Sequence, residues 1–321
     1  DIYLSGQYVK IDAERAIYYY TLSANLGNQY AQFNLGSLYE DGRFIAKDIN
    51  KAIHYYTLAA NQNNSMAQYN LGIIYLLGKN NHPDANKAIH YFTLAANLNQ
   101  QEAQYILGDI YLKGDIIPKN INKGIQYLSL AANQNNPIAL YNLAVTYFKG
   151  EYVQVDIGKA IHYFTLAANL NQPDALYRLG CLYEEGKHVS RDIKKAIHYY
   201  QLSADQNYVP SLFQLGAILY KGKYVIKDVK KAIQYLQIAA DKNDACAQNF
   251  LGDIYLNSQY VEKDINKSIY YFKLAADQND KMAQSNLGNV YMDIDINKSI
   301  HYYSLAANQN FVYAQFILGN L

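Results

Sequence analysis

The sequence predicts an all-α fold, an α/α superhelical solenoid of about eight to nine helix-turn-helix repeats of 36 residues. Two landmarks set that period. The pair Leu-Gly recurs at Leu35-Gly36, Leu71-Gly72, Leu107-Gly108, Leu179-Gly180, Leu215-Gly216, Leu251-Gly252 and Leu287-Gly288, and Leu143-Ala144 fills the one gap. A Lys-Ala-Ile triplet or close variant keeps the same step, centred on Ala16, Ala52, Ala88, Gly124, Ala160, Ala196, Ala232 and Ser268. In such an array each repeat contacts its neighbours, and stacking supplies the core that no repeat has alone.

One repeat shows why each element forms. From Ser65 to Leu77, Ala67, Leu71, Gly72, Ile74 and Tyr75 follow the spacing of an amphipathic helix, helix A. Gly78 stops it, and Pro83 lies in the loop. Asp84 is a good N-cap for helix B, about Ala85 to Asn97, and equivalent acids recur at Asp12, Asp48, Asp156, Asp192, Asp228 and Asp264. Helix B turns Ala88, Ile89, Phe92, Ala95 and Ala96 inward. Asn99 then takes the position where a left-handed residue is usual, filled in the first repeat by Gly27. Pro137 and Pro173 stand in the first turn of their A helices, where a missing N–H costs nothing. A glycine inside helix A costs about 1 kcal/mol against alanine, so its recurrence implies close approach by helix B. A tyrosine recurs in helix B at Tyr19, Tyr55, Tyr91, Tyr127, Tyr163, Tyr199, Tyr235, Tyr271 and Tyr302, on the side that packs between helices. One defect breaks the spacing: five residues are missing between Leu287 and Ser299 relative to Leu251 and Ser268, which predicts a tight loop around Met292–Asp295.

The two outward faces differ in kind. With Leu71 at 0° and about 100° per residue, Tyr69, Ile73 and Leu76 fall opposite the inner face of helix A. The Tyr69 row reads Phe33, Tyr69, Tyr105, Tyr141, Tyr177, Phe213, then Asn249 and Ser285. The Leu76 row reads Glu40, Leu76, Leu112, Phe148, Glu184, Tyr220, Leu256 and Met292. The back of helix B instead carries His54, His90, His162, His198 and His301 in one row and Thr57, Thr93 and Thr165 in another. Those histidines lie a repeat apart, too far to share one metal ion at bonds of about 2 Å, and read as solvated surface.

These residues resemble the Sel1-like repeat, a branch of the tetratricopeptide-repeat superfamily. The pattern Ala-x3-Leu-Gly-x2-Tyr-x2-Gly, loop, Asp-x2-Lys-Ala-x6-Ala-Ala is met here by Ala31, Leu35, Gly36, Tyr39, Gly42, Asp48, Lys51, Ala52, Ala59 and Ala60. Two features depart from it. A loop glycine of the family is often aromatic here, at Phe44, Tyr152, Tyr224 and Tyr260, and the usual helix-B tryptophan is tyrosine. The resemblance implies a non-catalytic protein-interaction scaffold or adaptor with helix A on the concave side. The aromatic-apolar ladder of helix A is then the candidate surface for a peptide or helix of a partner protein. Its members are Phe33, Tyr69, Ile73, Leu76, Tyr105, Asp109, Leu112, Tyr141, Val145, Phe148, Tyr177, Phe213 and Tyr220. The competing expectation is that neighbouring A helices bury this ladder as a second layer of core.

Composition narrows the function classes. With a net charge of +1 and both signs interspersed, nothing points to nucleic acid, where a basic stripe would be expected, and no nucleic-acid partner is expected. No apolar run approaches the roughly 18 residues of a membrane span, so membrane insertion is not expected. Cys181 and Cys246 sit at non-equivalent repeat positions, unlike an in-register disulfide framework, which favours an intracellular, cytoplasmic setting. No cofactor loop, metal cluster or supported nucleophile is legible, so no enzyme is expected. Asp1–Gly6 matches Asp109–Gly114, the end of a helix A, and the chain stops at Leu318-Gly319-Asn320-Leu321. Residues 1–321 are thus read as one solenoid truncated within a repeat at both ends. Two other functions remain open: a regulatory or docking arm of a larger signalling protein such as a kinase, pairing with a catalytic domain of the same polypeptide, and a secreted repeat protein with hydrolase or glycan-binding activity.

Overall fold

A computed structural model describes residues 12–79 and 82–321. The remnant of helix A read at Asp1–Gly6 lies outside the described residues. Those described form eighteen helices and no strand.

The chain divides into two compact units, Asp1–Leu170 and Asn171–Leu321. In the first, helix B of a leading repeat is α1 (Ala13–Asn25). Four A–B hairpins follow: α2 (Gln29–Asp41) with α3 (Ile49–Ala60), α4 (Ser65–Leu77) with α5 (Ala85–Asn97), α6 (Gln101–Lys113) with α7 (Ile121–Asn133), and α8 (Pro137–Lys149) with α9 (Ile157–Asn169). The second unit repeats the scheme with α10 (Pro173–Glu185) and α11 (Ile193–Ala204), α12 (Val209–Lys221) and α13 (Val229–Asp241), α14 (Ala245–Asn257) and α15 (Ile265–Asp277), α16 (Lys281–Tyr291) and α17 (Ile296–Asn308), then α18 (Val312–Asn320). Within each unit, each hairpin packs on itself more extensively than on the next. Helices α4 and α5 coincide with the segments expected from the sequence.

The stop and start signals act as read. Gly78 ends α4 in the left-handed region at φ 64°. Asp84 accepts a hydrogen bond from the Lys87 backbone N–H at 3.0 Å, which satisfies one orphan donor of α5. The same bond forms at Asp12, Asp48, Asp156, Asp192, Asp228, Asp264 and Asp295. Asn99 is left-handed at φ 61°, and asparagine fills this slot from Asn63 to Asn310. Asparagine suits the slot because its short amide lowers the penalty for a positive φ.

The helix-A glycines face one bulky side chain of helix B. A Cβ at Gly72 would lie 2.5 Å from the Phe92 ring, and one at Gly36 would lie 2.6 Å from Tyr56. Phe92 and Tyr56 are fully buried, so the missing methyl is what admits the ring to the hairpin. The tight loop also forms: α16 ends at Tyr291, and Asp295 N–H donates to the Tyr291 carbonyl at 2.8 Å.

One buried layer is polar. Gln32, Gln68, Gln104, Gln248 and Gln284 are almost wholly buried. Each donates its Nε2 to a carbonyl at the end of the preceding helix B, as Gln68 does to Ala60 at 3.1 Å. Each of these five repeats is thereby tied to the one before it by a directional bond inside an apolar core.

Candidate interaction surface

The helix-A ladder is neither free nor sealed. Of its thirteen expected members, twelve are half-buried and one, Leu112, is buried. Leu112 turns toward Gly124 on helix B, where a Cβ would meet it at 2.7 Å. Its role as a contact residue is corrected accordingly: it fills the gap over a glycine and shapes the surface without presenting itself to a partner.

Four of the aromatic rungs rest on a buried ring beneath them, while Tyr105 and Phe213 belong to hairpins whose buried helix-B residue is Leu128 or Leu236. The Phe33 and Tyr56 centroids are 5.7 Å apart, Tyr69 and Phe92 6.0 Å, Tyr141 and Phe164 5.8 Å, and Tyr177 and Tyr200 5.7 Å. Phe148 meets Phe164 edge-on at 6.2 Å. Ile73 and Leu76 join Phe33 and Tyr69 against the core of the first unit. The rungs are also flanked by the next A helix. Phe213 and Tyr220 both meet Phe250, at 6.3 and 5.3 Å, and Asn286 donates to Asn249 at 3.0 Å. The sequence reading missed this flanking row, although it lies 37 residues beyond each rung. Burial raises the hydroxyl pKa of Tyr69 and Tyr105, and it pushes Tyr177 up to about 12 with help from the neighbouring Cys181. Asp109 is paired with Lys113 at 2.7 Å, so its charge is spent within its own helix.

The two acids that interrupt the Leu76 row have a structural cause. Glu40 accepts a hydrogen bond from the buried Tyr56 hydroxyl at 2.8 Å and pairs with Lys79 at 2.9 Å. Glu184 accepts from the Tyr200 hydroxyl at 2.7 Å and from Gln214 Nε2 at 3.2 Å. Burial and the adjoining carboxylate raise the Tyr56 pKa; for Tyr200 burial leads, then Cys181, then Glu184.

Helix B presents a different surface. Its histidine row is exposed. Its recurrent tyrosine stacks on the conserved-spacing tyrosine of helix A, with Tyr39–Tyr55, Tyr75–Tyr91 and Tyr111–Tyr127 nearly parallel at 5.8–5.9 Å. A lysine of helix B caps the outer ring, as Lys51 does over Tyr39 at 5.1 Å. Among the described residues no group of three or more His, Cys, Asp or Glu could hold a metal ion, no helix is long and apolar enough to cross a membrane, and Cys181 and Cys246 are unbonded.

These hairpins, with their N-cap aspartates, left-handed asparagines and glycine-on-ring contacts, define a helical repeat protein of the α/α solenoid class. The Sel1 repeat model matches nine segments, 1–28, 29–64, 65–100, 101–136, 137–172, 173–208, 209–244, 247–280 and 281–311, so the chain belongs to the Sel1 repeat family. Its backbone is similar to that of a protective antigen of uropathogenic Escherichia coli strains displaying an SLR fold, at 26% identity and TM-score 0.86, over 99% of this chain and 69% of the antigen. It is also similar to a Sel1 repeat protein of Oxalobacter formigenes, at 26% identity and TM-score 0.70, over 95% of this chain and 89% of that one. No curated protein matches the sequence.

Proposed function

We propose that the protein is a non-catalytic interaction scaffold whose helix-A ladder takes a peptide or helix of another protein. One observation carries this reading. The ladder keeps aromatic side chains partly exposed along successive A helices, at Tyr69, Tyr105 and Tyr141, while the back of helix B is lined with exposed histidines. A residue serving only the core gains most by full burial, as Phe92 and Phe164 do. Half-buried, ring-supported tyrosines instead offer rigid apolar area with a polar rim, the usual make-up of an interface anchor. Membership of the Sel1 repeat family supports the same role. The free thiols of Cys181 and Cys246 suit a reducing, intracellular setting.

The test compares quantitative pull-downs by the wild-type chain and by a Tyr69→Ala, Tyr105→Ala, Tyr141→Ala variant, with circular dichroism as the control for folding. Loss of a specific partner with the helices intact is the expected result. An unchanged partner set would move the site elsewhere, and a melted variant would assign the ladder to the core.

A further inference from the structure

The positive charge of the chain is concentrated in two loops of the second unit. Residues 187–195 read Lys-His-Val-Ser-Arg-Asp-Ile-Lys-Lys, and residues 221–231 read Lys-Gly-Lys-Tyr-Val-Ile-Lys-Asp-Val-Lys-Lys. With histidine neutral they carry net charges of +3 and +4, against +1 for the whole chain, so the remainder is net negative. All nine lysine and arginine side chains in these segments are exposed. Among the described residues they form no ion pair. The equivalent lysines of other repeats do: Lys51, Lys159 and Lys267 lie 3.4–4.0 Å from their own N-cap aspartates.

The structure joins these loops into one edge. Arg191 donates to the Tyr224 hydroxyl of the next loop at 2.6 Å and lies 4.9 Å from its ring centre. Lys223 lies over the same ring at 5.1 Å. Lys227 donates to the Tyr260 hydroxyl, one loop further, at 3.1 Å and covers that ring at 4.2 Å. The surrounding cations lower the pKa of both tyrosines, mainly through these hydrogen bonds. Beside the edge lies a cavity of about 230 Å³, lined by Glu184, Gln214, Lys221, Lys223 and Tyr224 among others.

We propose that the loop edge formed by residues 187–195 and 221–231 is a second docking surface, adjoining the helix-A ladder at Tyr220, for an acidic segment of a partner protein. An unpaired, exposed cluster of cations raises the local concentration of an oppositely charged segment and speeds its encounter. Two features select a peptide over nucleic acid. Arg191 and Lys223 lie over the Tyr224 ring and Lys227 over the Tyr260 ring, which leaves less ring area for the base stacking that single strands require. The Glu184 carboxylate, which lines the cavity with Lys221 and Lys223, can accept a hydrogen bond from a peptide N–H, a donor that a phosphodiester backbone lacks.

The experiment titrates the full chain with a fluorescein-labelled peptide of Asp and Glu and reads fluorescence polarisation. It compares wild type with an Arg191→Glu, Lys223→Glu, Lys227→Glu variant and with a Lys113→Glu, Lys119→Glu, Lys123→Glu variant that makes the same charge change in the first unit. The expected result is saturable binding that weakens by about tenfold or more in the first variant only. An Arg191→Gln, Lys223→Gln, Lys227→Gln variant separates lost attraction from any damage done by charge reversal, and it should weaken binding in the same direction. No binding to wild type, or equal losses in the two reversal variants, overturns the proposal. Displacement of the peptide by a single-stranded oligonucleotide at equal affinity also overturns it, because the edge would then be a general polyanion site.

Discussion

A single leucine leaves a gap in the glutamine layer, and filling it measures what that layer contributes. In four repeats a second glutamine donates to the first: Gln62 to Gln32, Gln134 to Gln104, Gln278 to Gln248 and Gln309 to Gln284, all at 2.7–2.8 Å. The counterpart of Gln134 above Gln68 is Leu98, and Gln68 Oε1 is accordingly buried without a donor. The backbones match, with φ −92° at both Leu98 and Gln134, so a glutamine at 98 can adopt the same geometry. A buried orphan acceptor costs about 1–3 kcal/mol, and a neutral hydrogen bond returns about 0.5–1.5 kcal/mol net. Leu98 is 43% exposed, so replacing it forfeits only part of a leucine's burial, roughly 1 kcal/mol. The raw change for Leu98→Gln is therefore small, and a double-mutant cycle with Gln68→Leu isolates the bond. Leucine fits the Gln68 slot, because Leu140, Leu176 and Leu212 occupy it at 1–2% exposure. The expected coupling is about 1–2 kcal/mol in favour of the glutamine pair. It is read from urea midpoints and from hydrogen exchange of amides in α4 and α5, since a repeat array opens in parts. A coupling within about 0.3 kcal/mol of zero would refute the reasoning.

Three further outcomes follow from neighbouring residues. Ser268 sits fully buried in the slot that is alanine in most repeats, with its hydroxyl unpaired, so Ser268→Ala should stabilise by about 1 kcal/mol in urea denaturation. Ser299 fills the same slot but donates to the Gly288 carbonyl at 2.8 Å, so Ser299→Ala should give no such gain. Tyr200→Phe should destabilise by about 1–3 kcal/mol because it strips Glu184 of its hydroxyl donor, whereas Tyr200→Phe with Glu184→Leu should recover most of the loss by recreating the Phe92–Leu76 arrangement. Alkaline pH should loosen the fold. Tyr303 is raised to about 12 by burial, against an ordinary value of 10.0. Between about pH 10 and 12 the unfolded chain gives up this proton while the folded chain keeps it, so stability is whole below pH 10 and falls as pH rises. Tyr303→Phe should flatten that fall, followed by urea midpoints and phenolate absorbance.

The fold was legible because every device that shapes it is short-range. A left-handed residue, an N-cap carboxylate and a 3.6-residue apolar stripe each act within a turn or two, so Gly78, Asp84 and the stripe from Ala67 to Tyr75 could be read in isolation. The glutamine layer was not legible on that basis. Gln68 falls between apolar positions of helix A, and periodicity counts only apolar residues; its burial depends on a carbonyl eight residues back, and that of Gln32 also on an amide thirty residues on. The loop aromatics were visible but read as departures from a family pattern. They gain a cause only with their partners: Lys119 covers Tyr152, Arg191 covers Tyr224 and Lys227 covers Tyr260, each 33 residues apart.

The same distance rule governs the candidate surface. The row containing Leu76 reads as an apolar ladder broken by Glu40 and Glu184, and one row taken alone offers no reason for the breaks. Sixteen residues further on, however, the buried ring of helix B is tyrosine at Tyr56 and Tyr200, and it is phenylalanine or leucine at Phe92, Leu128, Phe164, Leu236 and Phe272. A buried phenol must find an acceptor: Glu40 serves Tyr56 and Glu184 serves Tyr200, whereas Asn289 serves Tyr303 and leaves Met292 apolar, as a ring without a hydroxyl leaves Leu76 and Phe148. The helix-A surface is therefore composed from beneath, with charge where the core ring is Tyr56 or Tyr200 and apolar area where it is Phe92, Leu128 or Phe164. Beyond Glu40 in the first unit, Leu76 and Phe148 keep the surface apolar and Leu112 seals the gap over Gly124. On the proposed function, an aromatic or aliphatic partner segment would seat along that stretch, on Tyr69, Tyr105 and Tyr141 of the first unit.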